Sequence, residues 1–289
     1  MKIAAVAYAP ERHDSWEALV AKLDRLIADT GADLVVLPEY AGVEAALVNG
    51  PAEVTPMAWR DLTVARADDW IGLCRDLAVK HQVHFLGGTT LVATDRGVVN
   101  RAVLALPSGQ VVFQDKVINT PYERDTIALT GGETLRLFDT ALGKIGILIC
   151  YDSEFPLLAR RLTEEGADMI LVPSCTDFAA GQTRVRQSCR ARAIEQQCLI
   201  VQAPLVGGVQ GCDIVDVNTG RAGMFAPPDH GLPPDGIIAQ GETDVHGAVV
   251  AEVDPAAIAA PRHTGQVGNF RHWTEQARHT GAVELIACR

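Results

Sequence analysis

The sequence predicts a layered α/β fold with both sheet faces covered. Strand and helix patterns alternate before the middle of the chain and again after it, and strand patterns joined by short turns lie between these two regions. The run 34–37 is continuously apolar and is stopped by Pro38, which indicates a strand buried on both faces. No linker or change of composition divides the 289 residues, so we expect a single domain over 1–289.

The first half of the chain opens with a strand pattern at 2–9. The helical pattern that follows starts at the cap Ser15 and ends at Gly31, and a second one runs from about Ala58 to Lys80. Three strands joined by Gly or Pro-Ser-Gly turns are predicted next, at 83–92, 98–106 and 110–117.

The second half begins after a loop at 119–133. Strands are predicted at 135–140, 144–150, 169–174, 199–204, 213–217 and 249–254. Helices are predicted at 156–166 and 183–197, and the Pro- and Gly-rich stretch 224–236 is predicted to be an irregular loop.

Charge and composition exclude several classes of protein. The chain has 36 acidic and 25 basic side chains, a net charge of -11, which disfavours nucleic acid and anionic membranes as partners. It has no apolar run of about 18 residues and no signal-peptide pattern. Its odd number of cysteines, 7, includes no CxxC pair, which is typical of a reducing compartment. We therefore expect a cytoplasmic protein.

Cys150 stands where an apolar strand turns toward a helix, with Asp152 and Ser153 in the turn. Such an elbow exposes a thiol at the edge of a sheet, near backbone amides that can stabilise charge. The alternative is a small core residue, which describes most free cysteines. A Cys-His pair finds no support among the 8 histidines: His84 lies inside an apolar strand, and the others fall in loops or at positions predicted to be exposed.

Glu39 and Lys116 also follow predicted strands directly. Taken singly, each is a candidate surface charge, but ligands of α/β sheets bind beyond the strand ends. Together with a thiol they provide the groups that amide hydrolysis needs. Glu39 can take the thiol proton and later activate water, and Lys116 can stabilise the thiolate and the tetrahedral oxyanion. The amide N–H of Tyr151 is a second candidate oxyanion donor.

The segments LPEY, FQDKV and ICYDSEFP resemble, in order and spacing, the three signature blocks of the nitrilase superfamily. The resemblance extends over nearly the whole chain and implies a Glu-Lys-Cys triad of Glu39, Lys116 and Cys150. It further implies a four-layer αββα sandwich that pairs as a homodimer through helices 156–166 and 183–197. The tail from about 260 to 289 matches the family only loosely.

Further site residues are implied by the resemblance. Many amidases of the superfamily carry a second glutamate in the loop after the lysine, and Glu123 is the candidate here; the alternative is a loop charge paired with Arg124. Tyr122, in the same loop, is a candidate substrate contact. Cys175, Thr176, Asp177 and Phe178 correspond to residues that border the substrate, with Cys175 a small lining residue and not a second nucleophile.

The function indicated is hydrolysis of a small linear amide, with no metal or organic cofactor. Nitrile hydrolysis is disfavoured, because nitrile-cleaving members follow the cysteine with Trp-Glu and this chain has Tyr151-Asp152. Hydrolysis of an N-carbamoyl compound and acyl transfer from the same thioester remain open. A catalytically silent binding protein would require a broken triad, since a fold alone does not imply activity.

Overall fold

The computed structural model, which describes residues 1–279 and 281–288, consists of two six-stranded sheets packed face to face with helices outside each. This arrangement confirms the predicted αββα sandwich. The elements of the first half are β1 (Lys2–Ala7), α1 (Trp16–Thr30), β2 (Leu34–Val36), α2 (Glu44–Leu47), α3 (Pro56–Ala65), α4 (Ala67–His81), β3 (His84–Thr94), β4 (Gly97–Ala105) and β5 (Val111–Asp115).

The second half is built in a similar way and ends in two short helices. Its elements are α5 (Pro121–Asp125), β6 (Leu137–Thr140), β7 (Gly143–Ile147), α6 (Pro156–Glu164), β8 (Met169–Ser174), α7 (Ala179–Gln196), β9 (Leu199–Pro204), β10 (Gly223–Phe225), β11 (Ile237–Gln240), β12 (Gly247–Glu252), α8 (Pro255–Ala259) and α9 (Pro261–Thr264). Turns of 3-10 helix occupy Ala41–Val43, Cys150–Glu154 and Trp273–His279.

Each sheet contains three neighbouring parallel strands. The first sheet has the order β12-β1-β2-β3-β4-β5, with β1, β2 and β3 parallel, and the second has the order β11-β10-β9-β8-β7-β6, with β7, β8 and β9 parallel. The other pairs of named strands within the two sheets are antiparallel. The carboxyl ends of parallel strands share one edge of a sheet, which is where ligands bind in open α/β sheets.

The sandwich is held together by side chains that alternate along the strands. In β1, Ile3 and Ala5 belong to the apolar cluster that joins the two sheets, whereas Ala4 and Val6 belong to the cluster under the outer helices of the first sheet. This period of two is the pattern of a strand covered on both faces. Helices α1 and α4 cover the first sheet, and α6 and α7 cover the second.

Three predicted elements were wrong in detail. The helix predicted from Ala58 to Lys80 is two helices, because Arg66 has φ -106° and ψ 5°, outside the helical region, with no proline or glycine beside it to mark the break. The strand predicted at 213–217 consists of turns. Its apolar residues Ile214 and Val215 are buried all the same, so the apolar pattern there reflects a buried loop and not a strand.

The predicted loop 224–236 overlaps β10, which pairs with β9 and continues the second sheet to β11. Both strands are only 3 and 4 residues long, too short for a recognisable alternation. The tail is anchored by Arg262, whose buried guanidinium donates hydrogen bonds to the backbone oxygens of Ala167, Gln196 and Gln197. Every helix in the described part of the chain is too short or too polar to cross a lipid bilayer.

Gly88 fixes the path of the chain next to Glu39. It has φ 66° at an irregularity in the pairing of β3 with β4, and a Cβ there would lie 1.9 Å from the carbonyl oxygen of Pro38. The neighbouring Thr89 accepts a hydrogen bond from the backbone N–H of Tyr40 at 2.8 Å. The glycine therefore lets β3 approach the segment that carries Glu39.

We expect Gly88→Ala to lower the free energy of unfolding by about 2 kcal/mol or more, because the new methyl group clashes with backbone and the positive φ is strained. Urea denaturation measures the change. Gly72→Ala is the matched control: a Cβ at Gly72 meets nothing within 4 Å, so this helical substitution should stabilise the protein by up to about 1 kcal/mol. Equal stability of Gly88→Ala and wild type would contradict the role assigned to Gly88.

Candidate active site

Cys150 lies on a tight turn between β7 and α6. Its backbone has φ 47°, which is uncommon for a residue with a side chain, and it opens the 3-10 turn Cys150–Glu154 that leads to α6. The thiol is 3.3 Å from the carbonyl oxygen of Cys175, at the end of β8. The predicted strand-to-helix elbow is confirmed, but the expected exposure of the thiol is wrong: Cys150 is only 4% exposed, because the neighbouring strand ends cover it.

Lys116 is buried between two carboxylates. It follows β5, and its Nζ is 2.7 Å from Oε1 of Glu39 and 2.7 Å from Oε2 of Glu123. All three residues are only 1% exposed, so water screens these charges little. Glu123 is therefore not the surface charge that the alternative supposed, and the neighbouring Arg124 donates to the backbone oxygen of Asn119.

The two carboxylates are held by further donors. Nδ2 of Asn100, a buried residue of β4, donates to Oε1 of Glu39 at 2.9 Å and to Oε1 of Glu123 at 3.1 Å. Glu123 also accepts from the hydroxyl of Tyr40 at 2.6 Å and from the backbone N–H of Thr120 at 2.7 Å. These donors satisfy carboxylates that burial would otherwise destabilise.

Glu39 joins the two sheets at the site. Its Oε2 accepts a hydrogen bond from the backbone N–H of Cys175 at 3.0 Å, and its carboxyl also interacts with the thiol of Cys150. Glu39 belongs to the first sheet, whereas both cysteines follow strands of the second. One carboxyl group therefore contacts the ammonium of Lys116 on one side and the thiol on the other.

Asp152 ties the Cys150 turn to the end of β5. Its carboxylate accepts hydrogen bonds from the backbone N–H groups of Val117 at 3.2 Å, Ile118 at 2.8 Å and Ile149 at 3.3 Å. Burial raises the pKa of Asp152 to about 6, although these donors and Lys116 act against the shift. The residues next to Lys116 and next to Cys150 thus share one acceptor.

Burial sets the charge states of the central groups. Burial, reinforced by the charge of Glu123, raises the pKa of Glu39 to about 7 in spite of Lys116. Burial raises the pKa of the Cys150 thiol well above its usual range, and the negative charge of Glu39 adds to the rise. Burial alone would lower the pKa of Lys116, but Glu123 and Glu39 outweigh it and raise that pKa. At neutral pH the thiol is therefore protonated and the lysine charged, and the Glu39 carboxyl can change its charge.

The central groups open into a cavity of about 300 Å³. All ten predicted site residues line it: Glu39, Lys116, Tyr122, Glu123, Cys150, Tyr151, Cys175, Thr176, Asp177 and Phe178. The Tyr122 hydroxyl donates to Asp213 at 2.6 Å, and the side chain of Phe178 is 72% exposed. No histidine is among the described residues that line the cavity, so a Cys-His pair has no support from the structure.

Asn100, Tyr40 and Asp152 were not predicted. Asn100 and its neighbour Arg101 interrupt the apolar pattern of β4, and a polar side chain inside a predicted buried strand is a usable signal. The start of α5 also had a signal, because Thr120, Pro121 and Glu123 match a capping box with proline at the first helical position. Asp152 and Tyr40 carried no signal apart from their proximity in sequence to Cys150 and Glu39.

One cluster of potential metal ligands occurs in the described part of the chain, away from the cavity. Atoms of Glu11, His13 and Glu44 lie within 4.8 Å of one another. The ammonium of Lys22, however, is 2.7 Å from Oε1 of Glu44, and Nε2 of His13 is 2.6 Å from the same oxygen. The cluster is a buried ion pair whose acceptor is already occupied.

The fold and this site define the class of the protein. Residues 2–263 match the profile of the carbon-nitrogen hydrolase family, and the chain belongs to that family. It is therefore a carbon-nitrogen hydrolase of the nitrilase superfamily, as its signature blocks predicted.

Two proteins with similar sequences carry the names of hydrolases. The chain is 32% identical over 274 residues to a probable hydrolase, YhcX, of Bacillus subtilis; this covers 94% of the chain but only 53% of that protein. It is also 28% identical over 255 residues to a deaminated glutathione amidase of Synechocystis, covering 84% of the chain and 86% of the relative. The chain thus spans about half the length of the first of these relatives.

Solved structures show the same fold. Nit3 of Saccharomyces cerevisiae superposes with a TM-score of 0.71 at 22% identity, covering 91% of this chain and 93% of that one. An amidase from Nesterenkonia, solved with acrylamide added to its active site cysteine, superposes with a TM-score of 0.68 at 20% identity, covering 96% and 99%. At identities of 22% and 20%, these superpositions establish a shared fold.

We expect Asp152→Ala to lower the free energy of unfolding by about 3 kcal/mol, because it leaves three backbone N–H groups without their acceptor. Chemical denaturation measures the loss. Asp152→Asn keeps one acceptor oxygen and should lose less, and Asp139→Ala, at an exposed position of β6, should stay within about 0.5 kcal/mol of wild type. If Asp152→Ala were as stable as Asp139→Ala, Asp152 would not be the tether described here.

Proposed function

We propose that this protein hydrolyses the carbon-nitrogen bond of a small linear amide through a thioester on Cys150. The observation that carries the proposal is the placement of one carboxyl group, Glu39, between the Cys150 thiol and the Lys116 ammonium in a cavity. A thiol with a raised pKa is a poor nucleophile until a base takes its proton. Glu39 is the only group contacting the thiol, among the described residues, that can do so in its ionised form.

In the acylation half, the sulfur of Cys150 attacks the amide carbon while its proton passes to Glu39. The carbonyl oxygen becomes an oxyanion, which the Lys116 ammonium and the backbone N–H of Tyr151 stabilise. The carbon-nitrogen bond then breaks, and the leaving nitrogen takes the proton from Glu39. Ammonia departs, or an amine if the amide is substituted, and the acyl group stays on sulfur as a thioester.

In the deacylation half, Glu39 takes a proton from a water molecule that attacks the thioester carbon. The same donors stabilise the second oxyanion. The carbon-sulfur bond breaks, the acid leaves, and the proton held by Glu39 returns to sulfur. Glu123 acts through Lys116: Lys116 and the hydroxyl of Tyr40 overcome the effect of burial and lower the pKa of Glu123, which stays ionised and keeps the ammonium in place.

An amide is favoured over a nitrile by the Tyr151-Asp152 pair that follows the nucleophile. The amidase names carried by relatives of similar length support the same choice. The homodimer through α6 and α7 and the cytoplasmic location remain predictions of the sequence.

We expect Cys150→Ala to abolish ammonia release from a panel of small amides, because it removes the thiol that Glu39 contacts and on which the thioester is proposed to form. The circular dichroism spectrum and melting temperature should match wild type. Cys288→Ala removes an exposed thiol and should leave turnover unchanged. If deacylation limits the rate, mixing wild type with substrate gives an ammonia burst equal to the enzyme concentration. Turnover by Cys150→Ala would refute the covalent mechanism.

The dependence of kcat/KM on pH should follow Glu39. Its carboxyl must be ionised in the free enzyme and has a pKa of about 7, so kcat/KM should rise as pH increases and reach half its plateau near that value. The measurement runs from about pH 5 to about pH 9, with thermal unfolding followed at each pH to exclude loss of structure. A profile that is flat down to about pH 5 would mean that Glu39 is not the base.

A further inference from the structure

The lining of the cavity has an excess of negative charge. Apart from the central triad and Glu123, the acidic and basic side chains of its lining are three carboxylates and one cation: Glu154, Asp177, Asp213 and Arg184. Counting the ionised Glu39, Glu123 and Lys116, the described lining carries five carboxylates and two cations. The protonated thiol adds no charge. The lining of the cavity that contains Cys150 is therefore acidic as a whole.

Both cations of the lining are already paired. Lys116 lies between Glu39 and Glu123 at 2.7 Å from each, and Nε of Arg184 is 3.5 Å from Oε2 of Glu154. A carboxylate on the substrate would have to compete with these partners. Among the described residues that line the cavity, no unpaired cation is left to receive it.

Asp177 and Asp213 differ from the other carboxylates because neither has a cationic partner in the described part of the chain. Asp213 accepts a hydrogen bond from the neutral hydroxyl of Tyr122, which leaves its charge in place. Both side chains are exposed at the cavity, and partial desolvation raises the pKa of Asp177, with repulsion from Asp216 and Asp213 adding to the rise. Like charges gathered in this way repel one another, and a cation placed between them relieves that repulsion.

We propose that the substrate carries a cationic group, an ammonium or a guanidinium, which Asp177 and Asp213 bind while Cys150 attacks the amide at the other end. This inference rests on the proposed function, because it takes the thiol as the reacting end of the cavity. The proposal favours amides that carry a positive charge as substrates and disfavours amides that carry a carboxylate. Asp177 and Asp213 are then the residues that determine specificity.

The test compares three amides of the same chain length: δ-aminovaleramide, valeramide and glutaramate, which are cationic, neutral and anionic. Their dissociation constants are measured by calorimetry on Cys150→Ala, which cannot consume them. We expect δ-aminovaleramide to bind about fivefold more tightly than valeramide, and glutaramate to bind most weakly. Raising the salt concentration should shrink the preference, since partly exposed charges are screened.

Neutral variants of the two aspartates locate the effect. In the Cys150→Ala background, Asp177→Asn and Asp213→Asn should each reduce the ratio of the affinities for δ-aminovaleramide and valeramide about twofold. Asp68→Asn is the matched control, because Asp68 is an exposed residue of α4 that does not line the cavity. Glutaramate binding as tightly as δ-aminovaleramide would overturn the proposal, as would a preference that survives removal of both aspartates.

Ammonia release by the wild-type protein separates this inference from the proposed function. Preferential binding of the cation without ammonia from any of the three amides would remove the proposed hydrolysis and leave the charge preference standing. Faster hydrolysis of glutaramate than of δ-aminovaleramide would support the proposed hydrolysis and refute the preference for a cation. Faster hydrolysis of δ-aminovaleramide, lost in Asp177→Asn but not in Asp68→Asn, would support both.

Discussion

A single buried ammonium group organises the site. Lys116 brings a full positive charge to a position that is 1% exposed, where an unpaired charge is strongly unfavourable. Two carboxylates from different parts of the chain, Glu39 and Glu123, compensate for it. They in turn need donors, which Asn100 and Tyr40 supply. Residues on or next to β2, β4, β5 and α5 are therefore linked by one requirement of charge balance.

The site is assembled from both sheets. The first sheet supplies Glu39 and Lys116, which follow β2 and β5, and the second supplies Cys150 and Cys175, which follow β7 and β8. Contacts between them include the hydrogen bond that the backbone N–H of Cys175 donates to Glu39, the interaction of Glu39 with the Cys150 thiol, and the hydrogen bonds that Asp152 accepts from the residues after Lys116. Neither sheet holds both the proposed base and the proposed nucleophile, so the arrangement on which the proposed reaction depends exists only when the two pack together.

The sequence predicted the layers and the central groups because both leave local signals. Apolar runs ending in Glu39, Lys116 and Cys150 identify strand ends, and the order of the three blocks identifies the family. The break at Arg66 and the buried turns at 213–217 left no such signal, because the packing of neighbouring elements decides them. The role of Asn100 was not predicted for a related reason. The two carboxylates to which it donates, Glu39 and Glu123, are 61 and 23 residues away in the sequence.

The raised pKa of the Cys150 thiol has a consequence for the protein when no substrate is bound. Peroxides and many electrophiles react with thiolates far faster than with thiols, and oxidation of a cysteine proceeds from the thiolate. A buried thiol that stays protonated until a substrate arrives is therefore protected against oxidative damage. In the proposed mechanism the thiol becomes nucleophilic only during the attack, when Glu39, whose pKa is raised to about 7, takes its proton.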